Sequence, residues 1–544
     1  MRKLFAIIGL LSLCSYAYGK AARFDNSAMN TNSSAPPPGG MYPALAISGA
    51  QIAGSIGPYH FSLEEGGPVC PLTGCTLIAR IAAPSFAVGT TLQSPSGAQP
   101  SGTLQREIDS VGANGTIVLP AGYRETATTA IRIKANNVTL RCEPGATLIK
   151  GGNETLLAIT GTGDVINGCT LDGNKSAGFT GDTLVITGSH GALIENSTIR
   201  DAAGINLTGS NFSGSKIINN HIYGALGSAV EFTGTAGPVS DLLIQGNTVD
   251  DSAGTNRMQS KVIGLYAELH GSSLYDIQIH DNLLLDGPQF CVEWGRYGGA
   301  VLHGIQITDN RCVAETNAEG CYSGGDGSWN DTIKGNTCDA NKFSLSIAAY
   351  EVALDSDSTW SSNTWTEDGG RIAYGISLNS SSNDTISGNV GHGWQTVSDG
   401  SAALIVDDPR STTRTCGVSG SDACYTNNNT ISSNTFSQEA GDSATRTTAL
   451  FVQSTRSNQE INNNKFTGNT FTLIGASGSA PYGIYAERDA GSFDSNKFTG
   501  NTISGAYSCV NHDKETNALY SNNQCLNSKL KVTGAAGPGT RVVK

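Results

Sequence analysis

Three short runs hold the residues of this chain whose types and spacing could do chemistry: Ala229-Val230-Glu231-Phe232, Tyr266-Ala267-Glu268-Leu269 and Cys291-Val292-Glu293-Trp294. Each sets one glutamate among apolar residues. Each is followed 14 to 17 residues later by an asparagine in a similar phrase, Gln245-Gly246-Asn247, His280-Asp281-Asn282 and Thr308-Asp309-Asn310. A glutamate recurring in register with a repeat is either a solvated surface position or part of an active-site floor. Two such carboxyls can divide acid and base work, because crowding raises the pKa of one of them. Three can also ligand a hard cation such as Ca²⁺ through their oxygens.

A scaffold that repeats must position them. The chain has 544 residues, 68 of them glycine, and only 15% are charged. Gly, Ser, Thr and Asn are modest to poor helix formers, so this composition suits many short strands and tight turns. Leu104, Ile108 and Val111 fall at helical spacing and predict one helix over 104–111, followed by the strand and turn Gly115-Thr-Ile-Val-Leu-Pro-Ala-Gly122. Asparagines preceding a short apolar pair then stand at 196, 220, 247, 282, 310, 336, 363, 389 and 434, with looser copies at 469, 501 and 523. A step of mostly 24 to 28 residues without a helix reads as one turn of a β-solenoid. Asparagines stacked at one corner can bond each other's amides, and Asn tolerates a left-handed backbone there. The expected class is all-β, a right-handed parallel β-helix of about 12 coils with an N-terminal capping helix.

The ends read differently. Arg2 and Lys3, the apolar run Leu4 to Leu13 and Ala17-Tyr18-Gly19 form a secretory signal over 1–19. That run is too short to span a bilayer, and no membrane partner is expected. Residues 20–45, with Pro36-Pro37-Pro38-Gly39-Gly40, read as a disordered linker; 46–98 as a small β-rich segment; 99–530 as the solenoid; 531–544 as a loose tail. The formal charge is −13, or −15 once Arg2 and Lys3 leave with the signal. No basic stripe interleaves with aromatics, which excludes nucleic acid as a partner. Besides Cys14 there are twelve cysteines, an even number that suggests disulfides in an exported protein. Cys70 with Cys75 and Cys416 with Cys424 lie close in sequence. Cys142 with Cys169, Cys312 with Cys338, and Cys509 with Cys525 recur at repeat spacing, leaving Cys291 and Cys321.

The helix, the phrase at 115–122 and the asparagine-phased coils resemble the pectate-lyase-like (pectin-lyase-fold) right-handed β-helix superfamily over roughly residues 100 to 530. The resemblance implies a secreted protein acting on a polysaccharide. It does not select an activity, since the superfamily holds lyases, hydrolases, epimerases and tailspikes. The polygalacturonase motifs are incomplete: Arg132-Ile133-Lys134 lies too early, and Ser189-His190-Gly191 is a partial match. The Asp-Pro-His-Glu signature of alginate epimerases is missing.

In such coils the asparagine corner separates the second strand from the third, so the glutamate runs belong to the first sheet. The expected outward column is Asn206, Glu231, Glu268, Glu293, Tyr322 and Ser346, at about 4.8 Å per coil. Three like charges on neighbouring strands are destabilising unless a proton, a cation or catalysis accounts for them. His270 and Tyr266 flank Glu268 on the same face, and Arg296 and Tyr297 follow Glu293. An enlarged loop from Asp250 carries Arg257 and Lys261 and predicts a groove wall. By the resemblance, Tyr266, Tyr297, Tyr322 and Trp329 would stack on sugar faces.

Three activities follow. A glycoside hydrolase would use paired glutamates, among Glu231, Glu268 and Glu293, with His270 and Arg296 nearby and no cofactor. Carboxyls roughly 5–5.5 Å apart imply retention and roughly 6.5–9.5 Å inversion. A uronate lyase would hold Ca²⁺ on the same three glutamates, with Arg296, Arg257 or Lys261 as base. A non-catalytic carbohydrate-binding or adhesin solenoid needs neither. Both monomer and homotrimer remain open.

Overall fold

The computed structural model describes residues 90–543, apart from 255–260, 268–270, 288, 297–299, 314–319, 325–326, 341–345, 368–371, 395–400, 407–423, 439–446, 455–458, 475–480 and 489, together with five strands before residue 90. The expected signal segment, Cys14, Cys70 and Cys75, and the Cys416 loop lie outside the described residues; of the expected linker, only Ala22–Phe24 is described.

The chain divides into units 1–89 and 90–544. In the first, strands Ala22–Phe24, Ala46–Ser48, Gln51–Ile56, Tyr59–Glu64 and Leu77–Ile81 form one sheet. Its neighbours are antiparallel except for the parallel pairing of the first strand with the last.

The second unit is a right-handed parallel β-helix. The coils run through three large sheets in the order first, second, third, and every pairing is parallel. Two coils add an extra short strand to the second sheet, Phe212–Ser213 and Val239–Ser240, and Cys424–Tyr425, Gln459–Asn462 and Ser492–Asp494 form a small parallel sheet of their own. The first sheet has fifteen strands, from Ile131–Ile133 to Leu530–Ala535. That exceeds the coil count read from asparagines because the earliest coils and the last one carry none at the ladder corner. The last strands, Leu530–Ala535 and Arg541–Val543, pair into the first and second sheets, so residues expected as a tail form coil instead.

Like stacks on like inside the tube. On the second sheet seven isoleucines, Ile166, Ile194, Ile217, Ile244, Ile279, Ile307 and Ile333, follow in direct register and are fully buried. Stiff β-branched side chains suit such a column, since they pack well against neighbours on a pleated surface. Trp360 continues it. On the third sheet Trp365 fills the interior so completely that a Cβ on Gly391 would lie 1.9 Å from its ring.

The asparagine ladder runs unbroken. Eleven side chains run from Asn220 through Asn247, Asn282, Asn310, Asn336, Asn363, Asn389, Asn434, Asn469 and Asn501 to Asn523, and each of the first ten donates Nδ2–H to the next Oδ1 at 2.9–3.1 Å. Two details differ from expectation. Ser197, not Asn196, takes the preceding ladder position and donates its N–H to Asn220 Oδ1. The left-handed backbone falls on the residue before each ladder asparagine, for example Asn219, Asp281, Asp309 and Ser362.

The helix α1 (Thr103–Val111) buries Leu104, Ile108 and Val111 against the first coils. Its N-terminal N–H groups lack a side-chain cap of their own. Glu125, fully buried on a neighbouring strand, supplies one: it accepts from Gly102 N (2.7 Å), Leu104 N (2.9 Å) and Tyr123 Oη (2.6 Å). Among the described residues no helix is long and apolar enough to cross a membrane.

Among the described residues four disulfides tie the tube. Cys142–Cys169 and Cys509–Cys525 follow the repeat-spacing pairing. Cys312–Cys338 does not form. These two are register neighbours on the third sheet, but each turns to a cysteine of its own coil, giving Cys291–Cys312 and Cys321–Cys338. The tube is narrow enough there for a bridge from the start of the first-sheet strand to the third sheet, with Cα separations of 5.9 and 5.8 Å.

Candidate functional site

The first sheet's outward column is set by register. It reads Thr208, Glu231, Gly264, Glu293, Ser323, Glu351 and Ser377. Glu231 and Glu293 stand in it as expected, with Val230, Phe232, Val292 and Trp294 turned into the core. Four expected members do not. Ser346 begins its strand five residues before Glu351, which holds that coil's place in the column. Asn206 lies just before its strand, fully buried, where its side chain clamps backbone through Ala202 N (3.0 Å) and Tyr223 O (2.7 Å). Tyr322 points inward, stacking on Tyr350 at 5.3 Å, because the register pairs it with inward Val292. The place of Glu268 is taken by Gly264. The strand aligns Ile263 and Leu265 with Val230 and Phe232, and it ends at Ala267. Glu268, His270, Arg257 and Tyr297 lie outside the described residues.

Gly264 leaves room above the sheet, and the outward Tyr266 folds back into it. A Cβ at 264 would sit 2.7 Å from the Tyr266 ring. From there the phenol donates to Glu293 Oε2 at 2.8 Å. Lys261 Nζ reaches the same oxygen at 3.0 Å and lies 5.1 Å from the centre of the Tyr266 ring. The Lys261 and Glu293 side chains are 9% and 14% exposed, so this ion pair is shielded from solvent. Glu231 Oε2 accepts from Ser228 Oγ at 2.8 Å. Glu351, buried two coils beyond Glu293, accepts from Ser323 Oγ at 3.0 Å.

Beside this face, where the chain passes from the first sheet to the second, three aromatic rings follow coil by coil. Tyr275 stacks on His303 at 5.5 Å, and His303 meets Trp329 at 4.9 Å. Arg296 ends the Glu293 strand. Its guanidinium lies 5.5 Å from the Trp329 ring centre and donates through Nη1 to Ala300 O at 3.2 Å. Half-burial holds its pKa below the usual guanidinium range.

Behind the face, Trp294 Nε1 donates to Asp331 Oδ2 at 2.9 Å. Asp331, Asp355 and Asp384 are buried in successive coils. Desolvation pushes Asp355 up to about 6 and Asp384 up to about 9; for Asp384 the Asp355 carboxyl adds to the effect. Desolvation and then Asp355 likewise raise Asp331.

Of the sequence-derived candidates, the fold therefore gathers Glu231, Glu293, Lys261 and Tyr266 on one face, with Arg296 and Trp329 at its edge. Sequence reasoning missed Ser228, Gly264, Ser323, Glu351, Tyr275 and His303. Only Tyr350-Glu351-Val352, an apolar-Glu-apolar run like the others, carried a signal that could have found its residue. Of the three glutamates expected to hold Ca²⁺, Glu231 and Glu293 stand two coils apart and Glu268 lies outside the described residues. Among the described residues no group of three or more His, Cys, Asp or Glu side chains could hold a metal ion.

Comparison with known proteins gives the same fold. Residues 155–327 match the family described as the right-handed beta helix region. No curated protein matches the chain. Among solved structures it is similar to a hyperthermoactive exopolygalacturonase from Thermotoga maritima, with 12% identity, 56% of this chain and 89% of that one covered, and a TM-score of 0.39. The tailspike protein of E. coli bacteriophage HK620 gives 14%, 87%, 82% and 0.46. The A-module of a mannuronan C-5 epimerase from Azotobacter vinelandii gives 16%, 75%, 95% and 0.41.

Proposed function

We propose that this chain is an exported polysaccharide-cleaving glycoside hydrolase. Its cleft lies on the outer face of the first sheet, and Glu231 and Glu293 are its carboxyl pair. The observation that carries the reading is their place in one column with only Gly264 between them. Two strand steps put their backbones about 9.6 Å apart. Flexible side chains bring the carboxyls into the range of roughly 6.5–9.5 Å that leaves room for a water, which favours inversion. No two glutamates of this column occupy neighbouring coils among the described residues, so the spacing for retention is not offered.

Roles follow from surroundings. Glu293, beside the Lys261 ammonium, is the carboxylate that takes a proton from the attacking water. Glu231, beside the Ser228 hydroxyl, gives its proton to the glycosidic oxygen. One C–O bond breaks at the anomeric carbon as another forms from the opposite side; Glu293 then releases the proton it took to solvent, and solvent restores one to Glu231. Arg296 and Trp329 border the cleft as sugar contacts. The apolar segment behind Arg2 and Lys3, together with the four disulfides among the described residues, supports export.

The test is a panel of neutral and acidic polysaccharides with wild type, Glu231→Gln and Glu293→Gln. Each variant is expected to lose about 10²–10⁴-fold in kcat at unchanged Tm. New reducing ends without an ultraviolet-absorbing unsaturated sugar indicate hydrolysis, and the unsaturated product would indicate a lyase. Near wild-type rates in both variants would remove the pair from the mechanism. Binding without any cleavage would establish the non-catalytic solenoid instead.

A further inference from the structure

The two glutamates are joined to each other through two residues, Ser228 and Lys261. Lys261 stands just before the strand Ile263–Ala267, on the coil between them. Its ammonium meets Glu293 Oε2 at 3.0 Å, while its backbone N–H donates to Ser228 Oγ at 3.3 Å. Ser228 in turn donates to Glu231 Oε2 at 2.8 Å. Tyr266, on the same strand as Gly264, closes the other side of Glu293. Polar contacts thus run Glu231–Ser228–Lys261–Glu293 across three coils, and Ser228 and Lys261 are both buried.

Stability alone does not call for this arrangement. Shielding an ammonium and a carboxylate from water costs several kcal/mol per ion, and an apolar pair of similar volume would hold the coils as well. A glutamate side chain that must act at one atom has several rotatable bonds to fix, and small misplacements of a reacting group are costly to rate.

We infer that Ser228 and Lys261 form one positioning unit that fixes the spacing between the two carboxyl groups, and that Gly264 is part of it by admitting the Tyr266 ring. Neither Ser228 nor Gly264 touches the substrate. This rests on the hydrolase reading above. The unit explains why the central coil contributes a glycine to the column. Any larger outward side chain at 264 would expel the ring that braces Glu293.

The experiment uses the full chain and the panel polysaccharide that wild type degrades fastest. Ser228→Ala and Gly264→Ala are each expected to lower kcat about 10- to 100-fold, with KM within about twofold of wild type. Ser228→Thr should recover most of the Ser228→Ala loss. Lys261→Met should behave like Ser228→Ala, and Lys261→Arg should recover part of its loss. The Ser228→Ala/Lys261→Met double variant should be no slower than the worse single, since members of one unit do not add. Thermal melts accompany each kinetic measurement, and Ser228→Ala and Gly264→Ala keep the question open to test if Lys261→Met fails to fold. Two results would overturn the inference: kcat within twofold of wild type for Ser228→Ala and Gly264→Ala, or additive losses in the double variant. If Glu231→Gln and Glu293→Gln are inactive in the same assay, the hydrolase reading survives that failure. If they remain active, the reading itself falls.

Discussion

Replacing Asn336 by alanine removes a rung from the middle of the ladder. Asn336 is fully buried. Its Oδ1 accepts from Asn310 N and Asn310 Nδ2, both at 3.0 Å, and its Nδ2 donates to Ile307 O at 2.7 Å and Asn363 Oδ1 at 3.1 Å. Asn310 Nδ2 keeps Ile279 O and Thr308 O, but Asn310 N loses its acceptor in a place water does not reach. An orphaned buried donor costs about 1–3 kcal/mol, and each further lost neutral bond about 0.5–1.5 kcal/mol. With three such bonds lost besides, the sum is about 2.5–7.5 kcal/mol. Asn523→Ala makes the comparison. It sits at the ladder's end, half-buried, with three such bonds, to Asn501 N, Asn501 Nδ2 and Phe498 O. Water can replace part of what is lost there, so about 1–2 kcal/mol is expected. Each coil touches only its neighbours, so the central variant should also broaden the transition by letting the two halves unfold separately. Urea unfolding followed by far-ultraviolet circular dichroism reads both quantities. Equal costs at 336 and 523, or a cost at 336 below about 1 kcal/mol, would refute the view that continuity of the ladder stabilises the tube.

Two other predictions concern the interior. Asp355 and Asp384 have folded pKa values of about 6 and about 9, raised by burial above the ordinary aspartate value. Their stabilising contribution is therefore complete below about pH 4 and is lost as pH rises through 6 and then 9. Tm should fall from pH 5 to 9, and Asp384→Asn should flatten the upper part of that slope; a Tm that rises across the range would contradict it. Peptide mapping of unreduced protein should recover 291 linked to 312 and 321 linked to 338. A 312–338 link would show that the pairing follows register instead of the coil. Each loop so closed contributes about 3 kcal/mol in the chain-entropy account, so the Cys321→Ala/Cys338→Ala pair should melt well below wild type.

Much of this protein was legible in its sequence because a solenoid writes its period into the chain. The asparagine spacing gave the coil, the corner and the order of sheets, and helix α1 was visible from Leu104, Ile108 and Val111. Alternation in Val230-Glu231-Phe232 and Val292-Glu293-Trp294 turned both glutamates outward, since period two is a local property of a strand. Register is not local. Coils of unequal length can slip, and a one-residue slip exchanges the two faces. Only the folded tube decided that Ile263 and Leu265 enter the core, which put Gly264 where Glu268 was expected. It also turned Tyr322 inward and aligned Glu351 with Glu293. The same holds for Lys261. Composition marked it as a loop cation, but its bond to Glu293 and its link to Ser228 exist only because three coils separated in sequence stack about 4.8 Å apart. Sequence alone determined that carboxyls would line one face; the packing of coils decided which of them stand together, at what spacing, and what holds them.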